Sequence, residues 1–292
     1  MRKSGMLRGY LYVIASAVIF GCMPLLTKLI YAEGANAMTV VALRNTLALP
    51  LLALMAWKQG GSLKIDKKQL PMVCLIALFG CCMTPYLLFF SYCFISGGTA
   101  TVLHFIYPAM VVVGSIVFLK AKAKRWDVIS VILCVAGIAL FYSPNEGFDL
   151  RGGVLAVASG VTFTAYVLVL SVFRRGNTTN FQLTFYVVLV SAIVMFLVCI
   201  VTDQLAFPTS VKGWLLCAVF AMAVSAGAVG LFQLGTFLIG GQKTSILSTL
   251  EPITGIVLGA IFFHEAVTLR TLIGSAMVIA ASILIAVFDK KE

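Results

Sequence analysis

The chain has 292 residues, of which 61% are hydrophobic and 11% are charged, and its formal net charge is +11. Soluble domains are about 45–50% apolar and about 25% charged, so this chain has too few charges to cover a surface that faces water. The composition therefore excludes a cytosolic globular enzyme, a disordered protein and a nucleic-acid-binding domain. It predicts that lipid surrounds most of the chain.

Ten apolar runs follow one another along the chain, each close to the length that crosses a hydrocarbon core about 30 Å thick. Because backbone that faces lipid must satisfy its own hydrogen bonds, and because the runs are continuously apolar rather than alternating, we predict helices and not strands. The predicted fold is an all-α polytopic membrane protein with ten transmembrane helices. Their predicted bounds are 9–30, 37–57, 70–92, 98–119, 126–142, 152–173, 180–201, 212–235, 243–263 and 270–288.

Lysine and arginine are distributed unevenly between alternate connections. If the N-terminus lies in the cytoplasm, most of the 21 basic residues fall on the cytoplasmic side. The basic residues left on or near the outer side are Lys28, Arg151, Lys212 and Arg270. This bias predicts a multi-pass protein of the cytoplasmic (inner) membrane with both termini in the cytoplasm, where its basic residues face anionic lipid.

The two halves of the chain resemble each other. The triplet at 7–9 recurs at 150–152, and 95–119 aligns with 239–263 without a gap. We therefore expect two five-helix repeats. Their predicted bounds are 1–143 and 144–292. Because five is odd, the second repeat starts on the opposite side of the membrane, which makes an inverted repeat of the kind common in secondary transporters.

The segments that carry a further resemblance are Gly98–Leu103 before Pro108, Thr244–Pro252 with its Leu-Glu-Pro, and then Gly259 and Glu265. Together with the duplicated five-helix halves, they resemble the drug/metabolite transporter superfamily, and most nearly its EamA-type ten-helix exporters. The resemblance implies export of a small metabolite and leaves the substrate open. The two halves differ at one position of this pattern, since the first has Tyr107 where the second has Glu251. A step that needs a carboxyl group would therefore depend on the second half alone.

Charged side chains within lipid are costly and mark candidate sites. We expect Glu251 to bind an amine or a proton, with a structural lock or an ion pair to Arg44 as the alternative. Arg44 and the adjacent Asn45 are candidates to bind an anionic group of the substrate, because a guanidinium fork suits carboxylate and phosphate. His104 is a further candidate, although an interhelical hydrogen bond is its favoured role.

Other polar side chains within the runs also need partners in an apolar medium. They make further candidate substrate contacts, which are Tyr86, Tyr107, Tyr166 and Gln233. Prolines within the runs interrupt helical hydrogen bonding and are hinge candidates, with fixed curvature as the alternative. These hinge candidates are Pro24, Pro85, Pro108 and Pro252.

These observations predict a secondary transporter that moves a small polar or amphipathic metabolite, with amino acids and related compounds favoured, by alternating access. Export is the expected direction, and proton coupling stays open. The alternatives are a passive facilitator or channel, and a nucleobase, nucleotide-sugar or multidrug carrier. The eight cysteines contain no C-x-x-C spacing and no catalytic motif occurs, so we expect no enzyme activity, metal or cofactor. The expected partners are the substrate, the lipid bilayer and protons, in a monomer or a homodimer.

Overall fold

The computed structural model describes residues 3–60, 63, 65–120, 125–140, 148–173, 176, 178–239, 247–248, 250–265 and 267–288. Within these ranges the regular structure is helical and contains no strand. The helices of the first half are α1 (Lys3–Gly21), α2 (Met23–Ala32), α3 (Ala37–Gly60), α4 (Leu70–Ile76), α5 (Thr84–Ser91), α6 (Gly97–His104), α7 (Tyr107–Leu119) and α8 (Arg125–Ala139). Those of the second half are α9 (Leu150–Val172), α10 (Asn180–Val201), α11 (Val211–Phe220), α12 (Val229–Ile239), α13 (Leu250–Phe263) and α14 (Leu269–Phe288).

The prediction of an all-α polytopic membrane protein is confirmed. Seven helical segments in the described ranges are long and apolar enough to cross a membrane, and three shorter apolar helices complete the order. The shorter ones are Val128–Ala139, Leu250–Phe263 and Leu269–Ala281. These segments correspond in order to the ten predicted runs, although two runs predicted as continuous, 9–30 and 98–119, are each divided into two helices.

The helices pair mainly across the two halves rather than within them. The most extensive packing joins α3 to α10 and α8 to α14, which are the second and fifth crossings of each half. The first crossing of each half packs on the third crossing of the other, since α1 lies against α12 and α9 lies against α5. These two kinds of pairing join equivalent crossings when the halves are exchanged, as two related repeats require.

The α3–α10 pair shows that equivalent helices run in opposite directions. Near the start of α3, the Nδ2 of Asn36 donates to the carbonyl of Gln204 just beyond the end of α10, at 2.7 Å. Near the end of α3, the Oε1 of Gln59 accepts from the backbone N–H of Phe181, in the first turn of α10, at 3.2 Å. The two halves are therefore inverted relative to each other.

Two faces can be defined from the connections. The Glu33 face contains residues 33–36, 93–96, 148–149, 203–210 and 264–265 with 267–268, and the opposite Gln69 face contains 65–69 with 178–179. Contacts between the halves occur on both, since Thr178 donates to Gln69 at 2.7 Å on the second face.

The third crossing of each half contains a π-helical segment, Ala77–Met83 between α4 and α5 and Ala221–Ala228 between α11 and α12. The register that aligns Ile95 with Ile239 also aligns Ala77 with Ala221, the first residues of the two segments. A π segment accommodates an extra residue and leaves carbonyl groups without their usual helical partners, and such segments are frequent at functional sites. No sequence signal predicted them.

Side chains from neighbouring helices satisfy these displaced carbonyls. In the first half, the carbonyl of Cys81 accepts from Ser191 at 2.8 Å and from Asn45 at 3.3 Å. In the second half, the hydroxyl of Ser16 donates to the carbonyl of Ala228 at 2.8 Å. Asn45 belongs to the same half as Cys81, but Ser191 and Ser16 each donate from the other half, so each π segment is braced across the interface.

Pro24 and Pro108 follow the interruptions at Cys22 and Phe105, whereas Pro85 lies within the continuous helical crossing 67–91, just after the π segment. Pro24, Pro85 and Pro108 are the second residues of α2, α5 and α7, and Pro252 is the third residue of α13. A proline in the first turn removes a backbone N–H that has no partner within that helix. Pro24 and Pro108 therefore lie at breaks between helices, and whether any of the four prolines acts as a hinge stays a prediction.

Candidate functional site

The two charges predicted for the site are both buried, and they come from different halves. Arg44 lies on α3 and is 6% exposed, while Glu251 lies in the first turn of α13 and is 9% exposed. The ion pairs found among the described residues do not include either of them, so the pair considered for Arg44 and Glu251 is not formed. Each is a buried charge without a counter-charge, which is an expensive arrangement unless a ligand completes it.

Two aromatic rings enclose the guanidinium of Arg44. Its Cζ lies 5.5 Å from the ring centre of Phe89 on α5 and 6.0 Å from that of Phe220 at the end of α11. The two rings are 5.7 Å apart and belong to the third crossings of the two halves, next to the π segments. Rings offer a cation their negative faces but do not replace hydrogen bonds, and the Nε of Arg44 has no partner. The position suits an incoming carboxylate or phosphate.

Glu251 lies against the end of α1. A Cβ at Gly21 would be 2.8 Å from the carbonyl oxygen of Glu251 and 2.4 Å from the Cβ of Thr254, so only glycine allows this close approach. Within the described part of the chain the side chain of Glu251 has no hydrogen-bond or ion-pair partner, which leaves it available to an amine or a proton.

Tyr92, which the sequence did not single out, connects the two charges. Its hydroxyl lies within electrostatic range of both Arg44 and Glu251. The side chain is buried, and its hydroxyl lies beside Thr101 without making a well-formed hydrogen bond; the Thr101 hydroxyl donates instead to the carbonyl of Gly97 at 2.8 Å. Arg44, Tyr92 and Glu251 therefore belong to one region between the halves.

Tyr107 borders the same region at the interruption between α6 and α7. Glu251 is within electrostatic range of its hydroxyl, and its ring packs on Phe163 of α9 at 4.7 Å. The neighbouring His104 shares a 2.8 Å hydrogen bond with the hydroxyl of Ser159. A Cβ at Gly160 would lie 2.6 Å from the carbonyl of His104, so α9 packs tightly against the interruption. His104 thus joins two helices, as its favoured role describes.

The remaining candidates make contacts other than with the two charges. Asn45 is fully buried and donates to Ser191 at 2.7 Å, which makes it part of the brace on the first π segment. Tyr86 is half-buried and stacks on the exposed Phe90 at 5.8 Å. Tyr166 packs against Gly80, where an added Cβ would be 2.4 Å from its ring. The side chain of Gln233 lies outside the described residues.

A small cavity lies near the Glu33 face. Ser96 and Thr99 of the first half line it together with Glu265 and Thr271 of the second. Its space suits about one ordered water rather than an organic solute. Within the described residues no three histidine, cysteine, aspartate or glutamate side chains lie close enough together to hold a metal ion.

Comparison with known proteins places this arrangement in a family. A model of the EamA-like transporter family matches residues 7–143 and again residues 150–287. The chain is 22% identical to the uncharacterized transporter YwfM of Bacillus subtilis, over 97% of this chain and 95% of that protein. An uncharacterized transporter of Clostridium kluyveri is also 22% identical, over 96% and 93%. A solved crystal structure matches over 100% of both chains with a TM-score of 0.69 at 16% identity, a likeness of fold alone.

Proposed function

Because the chain belongs to the EamA-like transporter family, whose members are transporters and not enzymes, we propose that it carries a small amphipathic metabolite across the cytoplasmic membrane by alternating access. The earlier resemblance to the drug/metabolite transporter superfamily is thereby confirmed. Amino acids and related compounds are the favoured cargo, and export is the favoured direction. The observation that carries the proposal is the pair of buried, unpaired and opposite charges, one from each half, both within electrostatic range of Tyr92.

The chemistry of this pair fits a solute with one anionic and one cationic group. Arg44 binds the carboxylate with a planar fork of donors, and the rings of Phe89 and Phe220 accept an apolar side chain beside it. Glu251 binds the ammonium group when the solute is present and a proton when it is absent. Exchange of these two at one carboxyl couples solute movement to protons.

Counterflow in proteoliposomes tests the carrier mechanism. Vesicles are loaded with unlabelled L-leucine and diluted into labelled L-leucine, which combines an apolar side chain with both charged groups. A carrier accumulates label transiently above equilibrium, whereas a facilitator or channel equilibrates without an overshoot. Absence of an overshoot for leucine and for a panel of the other amino acids would contradict the proposed cargo.

Two analogues separate the roles of the charges. We expect 4-methylpentanoate, which lacks the amine, to compete with leucine through Arg44, and 3-methylbutylamine, which lacks the carboxylate, to compete through Glu251. In Glu251→Gln we expect flux to lose its dependence on pH while the protein still elutes as a single species. Unchanged pH dependence in this variant would remove Glu251 from the coupling role.

The proposed orientation places the Glu33 face outside the cell and both termini in the cytoplasm. Cys93 is exposed on this face, next to the end of α5. A membrane-impermeant maleimide added to intact cells should therefore modify Cys93, as mass spectrometry of its peptide would report. Modification only after the membrane is opened would reverse the orientation.

A further inference from the structure

The segment α2 differs from the rest of the first crossing in what holds it. It is separated from α1 at Cys22, and Pro24 supplies no N–H to the preceding turn, so the helix is weakened at this point. Beyond the interruption, α2 packs mostly on α11 and α13, both of which belong to the second half. The equivalent crossing of the second half, α9, is continuous over Leu150–Val172.

An ion pair joins the middle of α2 to the second half. The Nζ of Lys28 lies 2.7 Å from the Oε1 of Glu265, and the two side chains are 22% and 15% exposed. The ammonium also lies 5.1 Å from the ring centre of Phe263. Partial burial makes such a pair stronger than an exposed one, because solvent screens it less. The distribution of basic residues placed Lys28 on or near the outer side and did not predict this ion pair.

Glu265 is held in place on two further sides. Its Oε1 accepts from the backbone N–H of Gly97, the first residue of α6, at 3.3 Å. Its Oε2 lies so close to Gly259 that a Cβ there would be 2.3 Å away. One carboxylate thus meets α2, α6 and α13 at once, and it lines the cavity next to Ser96.

A second set of contacts holds the far end of α2. Just beyond the helix, the carboxylate of Glu33 accepts from Ser210 and from Lys212, the latter at 2.7 Å. The carbonyl of Glu33 accepts from the backbone N–H of Thr209 at 2.9 Å. The polarity is reversed relative to the first contact, since here the first half supplies the acid and the second half the base.

We propose that α2 is the gate of the Glu33 face, which pivots at Cys22 and is latched to the second half by Lys28–Glu265. This inference rests on the proposed alternating access, because a carrier closed at this face must break these contacts to open it. The contacts are polar and partly exposed, so they are replaced by water on opening, whereas the apolar α3–α10 packing has no such substitute. The ion pair Arg151–Asp149, also on this face, lies within one half and takes no part.

Accessibility of a residue behind the gate tests this directly. Thr27 is fully buried on α2 and its hydroxyl has no hydrogen-bond partner, so Thr27→Cys removes little that stabilises the fold. The protein in liposomes is treated with a membrane-impermeant maleimide. Mass spectrometry of the peptides separates the introduced cysteine from the native ones, and the rate is the fraction of the position-27 peptide that is modified per unit time.

We expect Lys28→Met to raise the modification rate at position 27 by about fivefold or more over the Thr27→Cys background, since each 1.4 kcal/mol of lost coupling is about tenfold in an equilibrium. Glu265→Gln keeps an acceptor for Gly97 and loses the ion pair, so it should give the same increase. Arg151→Met breaks an ion pair of equal length within one half, and we expect no change.

No increase in either Lys28→Met or Glu265→Gln would overturn the gate, and so would an equal increase in Arg151→Met, which would report general loosening. Single-species elution and an unchanged melting temperature show that the variants are folded. The readout needs no transported solute. Increased accessibility at position 27 without leucine counterflow would therefore reject the proposed cargo and not the gate. Leucine counterflow with unchanged accessibility would reject the gate and not the cargo.

Discussion

The two halves of the molecule agree in their irregular backbone and differ in their charges. The π segments Ala77–Met83 and Ala221–Ala228 begin at equivalent positions. By contrast, the register that aligns the first residues of α3 and α10 places Val187 at the position of Arg44, and Tyr107 occupies the position of Glu251. The π segments thus occur in both halves, whereas each buried charge occurs in one half. The comparison teaches that the backbone of the site is symmetric and its charge distribution is not.

The first crossings of the two halves also differ, and this difference concerns the proposed gate α2. In the first half this crossing is divided into α1 and α2, and polar contacts tie the middle of α2 and the residue after its end to the second half. In the second half it is one helix, α9, that packs closely on α5 and on the interruption after His104. Because one first crossing is divided and the other is continuous, we expect the free energy of opening to differ between the two faces.

The largest expected effect comes from removing the positive charge of Arg44, which the second half lacks. Arg44→Met should lower kcat/KM for leucine by about 30-fold or more, since loss of one partner of a buried charge pair costs about 2–5 kcal/mol. The melting temperature without solute should stay equal or rise, because a buried unpaired charge is lost. The exposed Arg151→Met is the control, and equal losses in both variants would contradict a specific role for Arg44.

The next effect probes the two π segments at one position. Gly80 and Val224 are equivalent in the register that aligns the segments, but Gly80 is the place where the ring of Tyr166 enters. Gly80→Ala should lower stability by about 1–3 kcal/mol through overpacking. In a double-mutant cycle with Tyr166→Ala, this cost should largely disappear. A cost that persists without the tyrosine ring would show that the backbone of the π segment, and not the packing, demands glycine.

A smaller effect separates the braces of the two segments. Ser191 donates to the Cys81 carbonyl and accepts from Asn45, whereas Ser16 makes one bond to the Ala228 carbonyl. Hydrogen bonds between membrane helices contribute about 0.6 kcal/mol on average. Ser191→Ala should therefore lower the melting temperature more than Ser16→Ala. The reverse order would mean that the second segment depends more on its brace.

The smallest effect concerns pH on the Glu33 face. The hydrogen bonds from Lys212 and Ser210 hold the pKa of the Glu33 carboxyl below its ordinary value of 4.5. A lowered folded-state pKa stabilises the protein above the ordinary value, and this stabilisation is lost as pH falls through the folded-state value. The difference in melting temperature between the wild type and Lys212→Met should therefore be present at pH 7 and shrink below pH 4.5. A difference that grows in acid would contradict this assignment.

The fold was readable from the sequence because lipid imposes a simple rule. Long apolar runs must be helices, and an odd number of them in each copy must invert the second copy. The divided first and fourth runs were not foreseen, because Cys22 and Phe105 carry no signal of their own and the prolines after them fit helix starts as well as interiors. The sequence did not predict the π segments either, since their residues are of the kinds found throughout the apolar runs.

The site was only partly readable for a related reason. Arg44 and Glu251 stood out because a charge in lipid is costly wherever it lies. Asn45 stood out equally, yet its neighbours turn it toward Ser191 and a backbone carbonyl. Tyr92 and the pairing of Lys28 with Glu265 depend on which helices meet across the halves, and local sequence does not contain that information.

A ligand screen on the melting temperature tests the central claim most directly, that one unduplicated cation between duplicated halves selects the solute. Purified wild type and Arg44→Met are compared against the same library of anionic, zwitterionic, cationic and neutral metabolites, since a ligand of the folded state raises its apparent stability. We expect the stabilising compounds to carry a carboxylate or phosphate and to lose their effect in Arg44→Met. Compounds without an anionic group that stabilise both proteins equally would contradict the account.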